Sequence, residues 1–493
     1  MYLPLGTFSP PVRLGLVSAS RNCFPRELSQ RRTEALLAAC TQAGVEPVLP
    51  EGECRIIETR AHARAAAAQL EAAGCDAAIL YLGNFSPEIE DAQFVKSFSG
   101  PAMLMAAAEE TGERLNTDRG DALCGLLSAV LAIGKRDLMG RVHLPADPVV
   151  DAASGARAVA HFEKVVRTVK GIRNATIGLF GPRPRDFETC NYNVASIASL
   201  GVEVEELGLF DLQNKVEEIK KGGDVTGTIA SMKREIDNMP EGEFQTRLGA
   251  YEQALAHFRE ELQLSGAATQ CWAEQEFALR HVPCFINARL ASQGFPVACE
   301  NDAYSLVAEL IGQYATGASV TILDLNHSIP ADLDASLDQY PTCDLAGMFH
   351  CGNTDPRRVE NPQMQHQLIM KRMMEPEGEP DITRGTIEGK IKASPITLIQ
   401  VHGAGDGLRA YIAQGEFLDL DPKTFGSTGT AYIPGFRRFY RHCLLGRFHH
   451  HAGVAFSHCG AEVYDALRLL GIDEIYTPLP EGQLYPGENP FGG

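Results

Sequence analysis

Short apolar runs alternate along the chain with segments whose apolar residues return at helical spacing. VRLGLVSA (12–19) leads through a polar turn into PRELSQRRTEALLAACTQAG, a β–α unit. The pattern recurs in VEPVLP, the alanine-rich ETRAHARAAAAQLEAAG, CDAAILYLGNFS and PAMLMAAA, as a doubly wound parallel sheet requires. A first Rossmann-like domain is expected over residues 1–170. The alternation restarts at NATIGLFGPRP, with a helix near 191–200 and a strand in VEVEELGLF. A polar, mostly helical stretch (213–265) then leads to AATQCWAE, FPVACEND, ASVTILDL and DLAGMFH, each strand-like, so a second Rossmann-like domain is expected over 171–352.

Beyond it the character changes. MQHQLIMKRMMEPEGEPD reads as a helix and linker, whereas GTIEGKIKASPITLIQVHGAG and LRAYIAQGEFLDL carry the alternation and Gly/Pro punctuation of antiparallel strands. Residues 353–493 are expected to form a β-rich, barrel-like domain closed by the helix GAEVYDALRLLG. HGAGDG (402–407) lacks the spacing of a dinucleotide loop and reads as a hairpin turn. The fold class is therefore α/β: two Rossmann-like doubly wound domains followed by a β-rich one.

Length agrees, since 493 residues suit about three domains of roughly 100–200 residues each. Lys+Arg 44 against Asp+Glu 63 gives a net charge of −19, which argues against nucleic acid or an anionic membrane as partner and favours a small molecule. No apolar run approaches the roughly 18 residues that cross a bilayer, and MYLPLGTFSPPVRLGLV is no export signal, so a cytoplasmic protein is expected. Thirteen scattered cysteines without a Cys-x-x-Cys pair speak against a disulfide framework and read mostly as small buried apolar residues.

Candidate chemistry sits at strand ends. FPVAC is followed by Glu300, Asn301 and Asp302, then by the helical AYSLVAELIGQYATG, then by ASVTIL and Asp324. Read as one right-handed βαβ unit, this makes the two strands parallel and brings Glu300 and Asp324 to one crevice at the carboxyl ends. DLAGMF ends in His350 in the same way. Carboxylates held close repel unless one is protonated or a cation lies between them, and a mixed carboxylate and imidazole set suits Mn²⁺, Mg²⁺ or a similar octahedral ion. FHHHAGVAFSH adds His449, His450, His451 and His458 at a strand entrance. Plainer readings stand beside these: Asp302 as the cap of the following helix, His350 as a core histidine, the triple histidine as a solvated loop. Trp272 reads as a core anchor, and Glu274 and Glu276 as facing solvent.

ACEND with an aspartate 24 positions on (324 − 300), LAGMFHCGN and HHHAGVAFSHCGAE resemble the L-fucose isomerase and L-arabinose isomerase superfamily of metal-dependent aldose–ketose isomerases. The resemblance implies two Rossmann-like domains and a β-rich C-terminal domain. It places the catalytic, metal-binding carboxylates on Glu300 and Asp324 and the C-terminal metal-binding histidine on His451, with His450 beside it as an alternative or a substrate contact. His350 matches a histidine of the arabinose branch, while Asp324 matches the fucose branch. Because the chain mixes the two, a modified hexose such as sulfoquinovose joins fucose- and arabinose-type sugars as a candidate substrate. The resemblance further implies an enediol route, Mn²⁺ (or Mg²⁺ or Co²⁺) as cofactor, and a homohexamer in which a neighbour completes the site, with Arg21 as a residue so contributed. The rivals are a metal-dependent sugar aldolase or hydrolase, and a non-catalytic sugar-binding protein.

Overall fold

The computed structural model describes residues 2–370, 381–405, 407–480 and 482–489. It divides into two compact units: Pro11–Lys170 with Asp465–Gly471, and Met1–Pro10, Gly171–Tyr464 and Ile472–Gly493.

The first unit is built on one sheet of β1 (Leu14–Ala19), β2 (Ile56–Ile57), β3 (Ala77–Leu82), β4 (Ala102–Ala107), β5 (Val142–His143) and β6 (Val149–Val150), in the order β2–β1–β3–β4–β5 with β6 also beside β4. Every pairing in it is parallel. β1, β3 and β4 are buried along their whole length, as strands covered on both faces must be, which is why they are continuous apolar runs. The helix Arg60–Ala72 buries Ala63, Ala66, Ala67 and Leu70, one face at the 3.6-residue period.

The second unit holds two sheets. β7 (Thr176–Phe180), β8 (Glu203–Leu207), β9 (Gly266–Thr269) and β10 (Val297–Ala298) form a parallel sheet in the order β10–β9–β7–β8. A larger mixed sheet runs through β11 (Val320–His327), β12 (Leu345–His350), β13 (Gln363–His366), β14 (Arg384–Lys390), β15 (Ser394–Ala404), β16 (Gly407–Phe417), β17 (Ser427–Tyr432), β18 (His451–Ala455) and β19 (Glu474–Tyr476). Its order is β13–β14–β17–β12–β11–β18–β15–β16–β19, and a further β16–β17 pairing closes the path from β17 round to β16 on itself.

Two expectations change here. β10 and β11 are not parallel neighbours: β10 pairs with β9, whereas β11 is antiparallel to both β12 and β18. The helix Ala303–Thr316 carries the chain from one sheet to the other, where the eight-residue β11 fills two ladders that the two-residue β10 could not. Of the expected helix, Met364–His366 belong to strand β13 while 368–370 are helical, and 371–380 lie outside the described residues. HGAGDG does join the antiparallel β15 and β16, in register at Ala404 and Gly407, although residue 406 is outside the described set.

Helix Ala303–Thr316 is buried on all sides up to Ala315 and packs against β15 and β18. Leu306, Val307, Leu310 and Ile311 are fully enclosed, each worth about 1.5–3 kcal/mol of transfer free energy. Gly453 lets the helix approach, because a Cβ there would lie 2.9 Å from the Ala308 carbonyl carbon and the Glu309 nitrogen. No helix among the described residues is long and apolar enough to cross a membrane.

Candidate functional site

Glu300 lies in the turn between β10 and helix Ala303–Thr316. Glu300 and Asn301 both have left-handed backbones, at φ +60° and +54°, a conformation that costs non-glycine residues about 1–3 kcal/mol each and is held by surrounding structure. Asn301 supplies the hold: its N–H donates to the Thr269 carbonyl (3.0 Å) and its Nδ2 to the Gly181 carbonyl (2.6 Å), tying the turn to the ends of β9 and β7. Asp302 is the expected cap, its Oδ1 accepting from the Ser305 N–H at 3.0 Å. Its Oδ2 has a second task, lying 2.6 Å from the Ser305 hydroxyl and 2.7 Å from His451 Nδ1.

Strand register supplies the rest. On β11 Asp324 stands directly opposite His451 of β18, and opposite residues of an antiparallel pair share a face. His451 Nε2 is 2.8 Å from Glu300 Oε2 and 3.5 Å from Asp324 Oδ1. None of these three atoms has an aligned hydrogen-bond partner, although each is buried. Buried polar atoms are nearly always satisfied, so carboxylate and imidazole atoms without an aligned bond on either side of His451 suit a cation. Close groups of ligand atoms link Cys190, Glu300 and His451, then Asp302, His449 and His451, then Asp324, His450 and His451, and His451 is common to all three.

The electrostatics are those of concentrated negative charge. Burial pushes the Asp324 carboxyl up to about 6, with Glu300 adding to the rise and His350 and His451 opposing it. Burial acts against a charged His451, yet Glu300 and the bond to Asp302 more than offset it and hold the imidazole well above its ordinary range. Asp302 goes the other way: its burial is outweighed by His449, His451 and Ser305, and it stays ionised. Burial pushes His449 down to about 4 and His450 to about 3, so both present neutral rings.

The other candidates part company. His350 is buried at the end of β12, where its Nδ1 accepts from the Cys351 N–H at 2.9 Å, and its ring is 6.2 Å from that of His451. It belongs to none of the close ligand groups. Arg21 is engaged within its own unit, paired with Glu88 and set over the Phe85 ring at 4.1 Å. His458 contacts the Gly415 carbonyl. Trp272 meets Phe187 edge to face, and Glu274 is exposed as expected. Glu276 is not: it is fully buried with both oxygens unpartnered, and burial drives its carboxyl upward, because the chain turns at Cys271–Gln275 instead of continuing as strand. Sequence reasoning missed Cys190, which has no motif around it, and the joint burial of His449, where only one of three histidines was expected to matter.

His450 also lines a cavity of about 370 Å³, with Asn326, His327, Arg437, Tyr440 and Phe448 on its walls. Arg437 has no carboxylate partner among the described residues, so the cavity presents an uncommitted positive charge beside the acidic cluster.

Fold and site together define an α/β protein with parallel sheets in its N-terminal part, a large mixed sheet in its C-terminal part, and buried carboxylate and imidazole donors able to hold a divalent cation. Residues 15–173 match the family described as fucose/sulfoquinovose isomerase, N-terminal domain, and residues 348–477 match L-fucose isomerase, C-terminal domain. The chain belongs to the fucose isomerase-like superfamily. It is also 21% identical over 284 residues to a sulfoquinovose isomerase of Alkalicoccus urumqiensis, a match that takes in 56% of this chain and 59% of that protein.

Proposed function

We propose that the protein is an aldose–ketose isomerase that works through an enediol, with Glu300, Asp324 and His451 holding a divalent cation, Mn²⁺ before Mg²⁺ or Co²⁺. The observation that carries this reading is that buried His451 Nε2 lies 2.8 Å from Glu300 Oε2 and 3.5 Å from Asp324 Oδ1, with none of the three atoms in an aligned hydrogen bond. A bound divalent ion supplies Lewis-acid polarisation of the sugar's adjacent O1 and O2, worth several kcal/mol against the charge that develops there.

The chain's own residues do the remainder. Moving one proton from C2 to C1 and another from O2 to O1 needs a base and an acid beside the sugar, and Glu300 and Asp324 are the two carboxylates at hand, a contribution of roughly 10² to 10⁴ in rate. Asp302 fixes the tautomer and angle of His451 through its 2.7 Å contact with Nδ1, leaving Nε2 toward the carboxylates. The Asn301 bonds hold Glu300 in its left-handed turn, so the carboxylate is placed before substrate arrives.

For the sugar, the cavity beside His450 favours an anionic substituent at the far end from the reacting carbons. Arg437 and His327 on its wall suit a sulfonate, which a guanidinium can hold by paired hydrogen bonds, and sulfoquinovose carries one. A homohexamer is supported by a leucine stripe on the helix Ala122–Gly134, where Leu123, Leu127 and Leu131 stand 55%, 67% and 60% exposed. The lack of a disulfide among the described cysteines supports a cytoplasmic setting. In the proposed division into Rossmann-like segments at 1–170 and 171–352 and a barrel-like segment at 353–493, β11 and β12 come from the second segment and complete the sheet of the third.

The test is a panel of aldoses, including 6-deoxy and 6-sulfonate sugars, turned over in heavy water with Mn²⁺ and with chelator. The expected product is a ketose of unchanged composition carrying solvent deuterium at C1, formed from the sulfonate sugar and abolished by chelation. Ketose without deuterium would overturn the enediol route, and cleavage or hydrolysis products would overturn the isomerase reading.

A further inference from the structure

A second group of ligating side chains lies in the unit that contains β1–β6. His143 ends β5, and its ring is fixed by stacking on Phe162 at 5.2 Å between centroids. It is only 6% exposed, and its Nε2 is buried with no hydrogen-bond partner, 4.0 Å from Asp465 Oδ2. From the helix Ala152–Arg173, His161 brings Nε2 to 2.6 Å from the same oxygen. The three ligand atoms all lie within 4.8 Å of one another.

We propose that His143, His161 and Asp465 form a second metal site, for a divalent first-row transition ion of the zinc type. The His161–Asp465 contact by itself would be an ordinary charge-assisted hydrogen bond. It leaves His143 unexplained: a buried imidazole nitrogen aimed at a carboxylate and bonded to nothing, where polar atoms are nearly always satisfied. An ion among the three side chains gives that lone pair a partner and requires it to be unprotonated. Burial lowers the affinity of His143 for a proton, with Asp465 opposing and His161 reinforcing.

The donor set separates this site from the one around Glu300. Two imidazoles with one carboxylate suit Zn²⁺ or Co²⁺, and three protein donors leave a coordination position for water. His161 and Asp465 are 26% and 29% exposed in their side chains, which gives an ion a route in from solvent. The two sites have no residue in common, so this inference stands or falls apart from the isomerase reading.

The experiment uses the full chain stripped with chelator. Crystals soaked in Zn²⁺ should show an anomalous difference peak between His143 Nε2, His161 Nε2 and Asp465 Oδ2, and a crystal without one there would overturn the proposal. In equilibrium dialysis against Co²⁺, His143→Gln and Asp465→Asn should each lose one equivalent per chain relative to wild type, or weaken it at least tenfold. Variants that fold and bind the same number of ions equally tightly would also overturn it. If either variant fails to fold, the soaked wild-type crystal decides alone.

Discussion

Replacing Asp302 by asparagine changes one oxygen to an amide and removes one charge, at a position no substrate atom needs to touch. The carboxylate is wholly buried, with Oδ1 accepting from the Ser305 N–H at 3.0 Å and Oδ2 lying 2.6 Å from the Ser305 hydroxyl and 2.7 Å from His451 Nδ1. Asparagine caps a helix about as well as aspartate, so the Ser305 contact survives and the fold is expected to melt within a few degrees of wild type. The bond to His451 does not survive unchanged, since a hydrogen bond to a charged group is worth about 1.5–3 kcal/mol. At roughly 1.4 kcal/mol per decade, this predicts ion affinity about 10- to 100-fold weaker, the interval usual for groups that orient a metal-binding histidine. Calorimetric titration of the chelator-treated variant with Mn²⁺ reads the affinity, a thermal melt reads the fold, and turnover at saturating Mn²⁺ shows whether excess ion restores activity, as positioning alone requires. A folded Asp302→Asn protein that binds Mn²⁺ as tightly as wild type would refute the idea that Asp302 acts through His451.

Glu300→Gln should keep the melting midpoint and lower kcat by roughly 10² or more, because it removes a proton acceptor and an ion ligand together; normal turnover would remove Glu300 from the chemistry. Leu127→Glu puts a charge in the middle of the exposed leucine stripe and should reduce the assembly measured by light scattering, while an unchanged mass would take that helix face out of the interface. Asp91 is buried against Ser86, and burial pushes its carboxyl up to about 8 from an ordinary 3.8. The folded state therefore keeps a proton that the unfolded chain has released, and stability should fall as pH rises through that window, by an amount on the order of a few kcal/mol. Asp91→Asn should flatten the fall between pH 5 and pH 8.5 in urea unfolding, and a slope equal to wild type would contradict the assignment.

What the sequence shows and what it hides divide along the range of the interactions. LGLVSA, AAILYL and AMLMAA are legible as strands because a parallel sheet covered on both faces needs unbroken apolar runs, a requirement local to each segment. ASVTILDL is equally legible as a strand, but its partners are not, since nothing inside it distinguishes pairing with β10 from pairing with β18. The same limit applies to Asp302, whose capping role is local and whose contact with His451 spans 149 positions. Glu276 looks like a solvated residue because its neighbours cannot reveal that the strand stops at Thr269 and turns inward. Two histidines that both sit at the ends of strands, His350 and His451, differ only in what register sets opposite Asp324: Phe349 on one side, His451 on the other. A slip of one residue in β18 would bring Ala452 opposite Asp324 and turn the imidazole to the other face of the sheet, leaving the two carboxylates without their common ligand. The helix that follows Glu300–Asp302 guards against that slip, because it rests on Gly453, where Val454 moved into its place would drive its Cβ into the backbone of Ala308 and Glu309. The small residues of HAGVA thus determine which histidine meets the acids, and the packing that makes β18 a strand is the same packing that makes it part of the site.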